Sequence, residues 1–108
     1  MFFRILAVFV ALAAIGSTPA LADAAAGKIK VEAVCQTCHG MDGIATTPVA
    51  ANLSGQQEIY IKIQLERFRS GMRKDPQMNI IAKMLSDEDI ANVSAYYSGI
   101  KVSVKVPE

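Results

Sequence analysis

Cys35-Gln36-Thr37-Cys38-His39 is the stretch on which the reading of the whole chain turns. Two thiols three positions apart are followed at once by the only histidine in the sequence. A structural disulfide, a thioredoxin-like redox pair and half a zinc site would each have to use the same two cysteines. Zinc wants four ligands, and the chain holds two Cys and one His. A thioredoxin-like pair wants a βαβ surrounding, which the helical periodicity of the flanking residues does not offer. The spacing that remains, C-x-x-C-H, is that of covalent haem attachment. On a helix, positions three apart project to one side, so both thiols reach neighbouring vinyl groups while His39 points under the ring toward iron.

Upstream, Val31, Val34, Cys35 and Cys38 form an i, i+3, i+4, i+7 stripe with Asp23 placed as N-cap, which predicts a helix over 24–37. Downstream, residues 40–55 carry Gly40, Gly43, Pro48, Asn52 and Ser54 and no sustained apolar period, so they read as loop. Ser54 with Gln57 resembles a capping box, and Ile61, Leu65, Phe68 and Met72 follow at helical spacing, predicting a helix over 56–70 with Met72 as core filler. The alternation of Ile59, Ile61, Ile63 and Leu65 would also suit a strand, but the length of the segment favours helix. A brief helical turn is expected over 78–84. Ser86 ahead of Asp87, Glu88 and Asp89 marks the start of a last helix ending at Gly99. Residues 100–108 alternate like a strand without a partner and are expected to form a loosely attached tail.

The first 22 residues stand apart. Arg4, the apolar run Ile5–Ile15 and the small-x-small ending Ala20-Leu21-Ala22 read as a signal peptide cleaved after Ala22. A spanning helix would need about 20 apolar residues, and Gly16-Ser17-Thr18-Pro19 interrupts the run too early. Removing this leader takes away Arg4 and leaves ten basic and ten acidic residues. That balance argues against a nucleic-acid binder, and no membrane attachment is expected once the leader is gone. The remaining 23–99 domain has no Trp and few aromatics, so its core is thin. A porphyrin with two apolar faces would supply what is missing, packed by Val31, Val34, Leu53, Ile61, Leu65 and Phe68.

With His39 as the single histidine, a sixth iron ligand from this chain would be a methionine. Met41 is only two residues from His39 and cannot reach the far face. Met72 sits on the apolar stripe of the middle helix and Met84 precedes Leu85 at the entry to the last one, whereas Met78 stands in the irregular segment between helices, where the chain can wrap across the ring edge.

Cys35-Gln36-Thr37-Cys38-His39-Gly40-Met41-Asp42-Gly43, Leu53-Ser54-Gly55-Gln56, and Met78 placed eight residues before Ser86-Asp87-Glu88-Asp89-Ile90 together resemble the short bacterial class I cytochromes c. The resemblance spans nearly all of the chain after the leader. It implies an all-α fold of three to four helices wrapped around one covalent haem c, with Cys35 and Cys38 as attachment points and His39 and Met78 as iron ligands. It also implies crossing of the first and last helices at Gly27 and Val31 against Tyr96 or Tyr97. The family often has proline two residues before the Leu of L-x-G-Q, where a loop carbonyl receives the proximal histidine's N–H. Ala51 stands there instead, which leaves open which residue supplies that carbonyl.

The implied function is that of a periplasmic, monomeric electron carrier that docks transiently with redox proteins and is not itself an enzyme. A cytochrome subunit of a larger oxidoreductase is the alternative, with the tail pairing to a partner's sheet edge. A peroxidase-like haem enzyme would want a distal acid-base group, and there is no second histidine.

Overall fold

The computed structural model describes residues 11, 13–16 and 21–108, so the leader predicted over 1–22 lies for the most part outside the described residues. Five helices occur among the described residues: α1 (Ala24–Val34), α2 (Gln36–His39), α3 (Glu58–Ser70), α4 (Met78–Lys83) and α5 (Asp87–Ser98), with no strand. None is long and apolar enough to cross a membrane.

Helix α1 starts as its sequence predicts. The Asp23 carboxylate accepts from the amides of Ala25 and Ala26 at 2.9 and 3.2 Å, satisfying two of the free N–H groups of the first turn. The Asp23 amide donates to Asn92 Oδ1 at 2.8 Å and so ties this end to α5. The continuous helix expected to Thr37 is instead divided at Cys35 (φ −112°, ψ −35°), and α2 begins a new turn there. The Cys35 carbonyl accepts from His39 at 3.0 Å, so the C-x-x-C-H residues occupy a turn of their own.

Helices α1 and α5 make the most extensive contact of any pair. They can do so because position 27 has no side chain: a Cβ there would lie 2.0 Å from the Asn92 carbonyl oxygen and 3.1 Å from Tyr96 Cβ. Tyr96 is therefore the aromatic at the crossing, while Val31 and Tyr97 lie fully buried in the adjoining core with Ile61, Leu65, Leu85, Ile90 and Val93.

In α3 the helical period wins over the alternating one. Ile61, Leu65 and Phe68 are buried, whereas Ile59 and Ile63 are exposed. The expected capping box does not form. The Ser54 hydroxyl donates to the Asp42 carbonyl, Gln57 caps without a side-chain bond, and the helix starts at Glu58. Gly55, at φ +63° with its amide on the Tyr97 carbonyl (2.9 Å), turns the chain between Ser54 and the helix. At the other end Gly71 is left-handed (φ +84°) and stops the helix. Met72 therefore leaves the apolar stripe and is 76% exposed, not core filler.

The helical turn predicted over 78–84 is α4, and Met78 is its first residue, so this methionine is not in irregular chain. Helix α5 begins with a complete capping box between Ser86 and Asp89 and carries Asp87, Glu88 and Asp89 in its first turn, as its sequence predicts. Ile100 still packs against the core; 101–108 has no regular structure and is exposed.

Candidate functional site

Between α2, α3, α4 and the 40–55 loop lies a cavity of about 970 Å³. Its size is at the upper end of the range of roughly 300–1,000 Å³ found for small-molecule and cofactor sites. Cys35, Cys38 and His39 line it, and so does Met78 from α4. Its walls are largely apolar, with Val34, Leu53, Ile61, Leu65 and Phe68 among them as the sequence predicts, and Arg73 and Asp75 add charge at the α3–α4 side. Val31 is the exception: it faces the core between the helices and does not line the cavity. Of the four methionines beyond the leader, only Met78 lines the cavity; Met41 packs against the core, and Met72 and Met84 are exposed.

The carbonyl that engages the histidine is that of Ala51. His39 Nδ1 lies 2.7 Å from the Ala51 oxygen, which can only accept, so Nδ1 carries the proton and Nε2 keeps its electron pair for a metal. The residue standing where related chains often have proline thus supplies the bond without it. The loop bearing Ala51 is held at several points. Thr46 donates its amide to the Cys38 carbonyl (2.9 Å) and its hydroxyl to the Thr37 carbonyl (2.5 Å), and the Leu53 amide donates to the Gly43 carbonyl (2.7 Å). From α5, the Tyr97 and Tyr96 hydroxyls donate to the carbonyls of Gly40 (2.9 Å) and Met41 (2.6 Å). Burial pushes the Tyr97 hydroxyl well above the usual phenol range, so it stays a donor.

Burial also pushes the Cys35 thiol up, to about 11, with nearby Lys30 opposing the shift. In the unmodified chain it is therefore a protonated thiol at neutral pH and not the low-pKa thiolate of a redox-active pair. The two sulfurs are not joined to each other. Among the described residues no group of three or more His, Cys, Asp or Glu could hold a metal ion, so no closed zinc site is formed among them. Two thiols, one tautomer-fixed imidazole and one thioether around an apolar cavity fit a haem, and the donor set suits iron in a porphyrin.

Helix α4 is set by side chains that the sequence reading passed over. Asp75 Oδ1 accepts from the amides of Gln77 (2.9 Å) and Met78 (2.8 Å), and Asn79 returns a bond by accepting from the Asp75 amide (2.8 Å). Asp75-Pro76 was the available signal: an Asp followed by Pro marks a helix start. The two tyrosines gave no signal beyond helical spacing.

The family model for cytochrome c matches residues 24–100. Cytochrome c-554(548) of Halomonas halodenitrificans is 44% identical over 79 residues, covering 70% of this chain and 94% of the relative. Cytochrome c4 of Pseudomonas aeruginosa is 40% identical over 89 residues, covering 82% of this chain but 44% of the relative. The crystal structure of reduced cytochrome c4 from Pseudomonas stutzeri superposes with a TM-score of 0.69 at 39% identity, covering 77% of this chain and 48% of that one. The chain thus spans nearly the whole of one relative and about half the length of the cytochromes c4 it matches. It belongs to the cytochrome c family, whose covalent haem c is attached through a C-x-x-C-H motif of the kind formed here by Cys35, Cys38 and His39.

Proposed function

We propose that this protein is an exported electron carrier in which Cys35 and Cys38 hold the haem by thioether bonds, His39 ligates iron from one side and Met78 from the other. The observation that carries this reading is that Met78 is the one methionine lining the cavity shared with the C-x-x-C-H segment. Haem iron, when bound, supplies reversible exchange of one electron. The chain's own residues hold the ligands in place in both oxidation states. Ala51 fixes the His39 ring, Asp75 fixes the backbone of Met78, and the tyrosines of α5 fix the loop between them. Apolar walls keep water out, and Met78, being a thioether, favours the reduced state and raises the potential relative to two histidines.

The residues lining the cavity also favour a carrier over an enzyme. His39 Nδ1 is engaged with Ala51 and its Nε2 is committed to iron in this reading, and the chain holds no second histidine to act as a distal acid-base group. Export into the periplasm is supported by the leader pattern, with α1 and its Asp23 cap beginning directly after the expected cleavage at Ala22. Monomeric action with transient docking suits a chain of this size. The alternative, a subunit of a larger oxidoreductase, draws on the exposed Val104 and Val106 of the tail.

A potentiometric titration of the purified protein tests the carrier reading. One wave with a slope of about 59 mV per tenfold change in the oxidised-to-reduced ratio, the value for a single electron, is expected. Two waves, or turnover of peroxide by the reduced protein, would overturn it.

A further inference from the structure

Helix α4 is only six residues long and buries a single residue, Ala82, completely. A helix of that length has little stability of its own and is held by what it touches. Yet its first residue is Met78, whose sulfur has to keep one position if it is to remain on iron. The structure shows one side chain fastening this helix start to a longer element. Asn79 Nδ2 donates at 2.8 Å to the Phe68 carbonyl near the end of α3 and at 2.8 Å to the Arg73 carbonyl in the connecting turn. Asn79 Oδ1 accepts from the Asp75 amide at 2.8 Å, and the Asp75 carboxylate in turn accepts from the Met78 amide at 2.8 Å. Three of the four hydrogen bonds an asparagine can make are thus spent on the backbone on both sides of one turn. Arg73, whose carbonyl is one of the acceptors, lies with its guanidinium 4.5 Å from the centre of the Phe68 ring, so the same turn is also pinned through a side chain.

We infer that Asn79 is a positioning residue for Met78: by tying the start of α4 to the end of α3, it keeps the thioether at the iron and sets how often that bond opens. This rests on the reading of Met78 as the sixth ligand. Hydrogen bonds that hold only the closed arrangement shift the balance between closed and open forms by the free energy they contribute. Removing two of them raises the open fraction about tenfold or more. Loss of a merely stabilising asparagine would lower the melting temperature and leave the opening of the iron–sulfur bond alone.

The test uses the purified haem-containing protein, with cyanide as probe, because cyanide enters ferric iron only when the sixth position opens. In Asn79→Ala the observed rate of cyanide binding is expected to rise at least tenfold, with the ferric methionine-to-iron band still present at neutral pH. Asn92→Ala, which removes a comparable side-chain bond to the Asp23 amide between the start of α1 and α5, is expected to stay within twofold of the parent rate. Should Asn79→Ala fail to fold, Asn79→Asp keeps the acceptor for the Asp75 amide, loses both donations, and is expected to behave the same way. A rate within twofold of the parent in the Asn79 variants, or an equal rise in Asn92→Ala, would overturn the inference. If the parent lacks the methionine-to-iron band and binds cyanide as fast as Met78→Ala, the ligand reading itself has failed, and the two failures are told apart by that comparison.

Discussion

Met78 and His39 reach the same cavity from sequence positions 39 residues apart, and each is fixed by a backbone bond of its own. His39 was legible because C-x-x-C-H is itself the chemistry: the thiols and imidazole have to follow each other on one turn to serve one ring. Ala51 was not legible as its partner, because every residue carries a carbonyl and only the path of the loop decides whose is used. From the residues alone Met78 had only a lead over Met72 and Met84, which the resemblance strengthened; its place in the cavity agrees with that lead, but it stands at a helix start capped from Asp75 and not in an irregular segment. Replacing Met78 by Ala is expected to lower the reduction potential by more than about 59 mV, a tenfold loss of preference for the reduced state, as potentiometry would show. A smaller change would mean that the thioether is not what tunes the iron.

At the scale of helices, periodicity showed where α3 and α5 lie but not how their ends are made. The pattern Ser54-x-x-Gln57 satisfies the capping-box rule on paper, yet Gly55 turns the chain and Ser54 bonds to Asp42 instead. At α5 the same rule holds, because Ser86 leads straight into the helix. Asp89 closes that box. Its carboxyl is held below the usual value of 3.8, chiefly by accepting from the Ser86 amide, with Lys30 at 3.6 Å as a lesser cause. A carboxyl lowered by folding stabilises the folded state above the unfolded-state value and loses that contribution as pH falls through the folded one. The gap in melting temperature between the parent and Asp89→Asn should therefore be constant above about pH 5 and shrink below the ordinary carboxylate range, as thermal denaturation across pH would reveal. Gly27→Ala probes the other close contact of α5. With a Cβ placed 2.0 Å from the Asn92 carbonyl oxygen, the helices must separate, at a cost of about 1–3 kcal/mol measurable by chemical denaturation. An unchanged midpoint would mean that the two helices have room to spare.

For the molecule as a whole, the thin core foreseen from composition has a physical counterpart in the cavity. Without a ring between them, the largely apolar walls of that cavity would face water, and a domain of this kind has only about 5–15 kcal/mol of stability to lose. The haem is thus part of the core, and the chain with Cys35 and Cys38 both replaced by Ala, prepared without haem, should show no cooperative thermal transition by circular dichroism. A sharp transition in that variant would mean that the helices hold each other without the ring. The all-helical class was legible because amphipathic spacing and breaker residues are local signals. How α4 is tied to α3 was not, since it depends on Asn79 meeting carbonyls 6 and 11 residues away.

The most direct measurement of the proposed closed, doubly ligated iron is the absorption spectrum of the reduced protein before and after addition of carbon monoxide, with Met78→Ala alongside. An unaltered low-spin spectrum in the parent and carbon monoxide binding in Met78→Ala are expected. Carbon monoxide binding in the parent would show an open iron and contradict the carrier assignment.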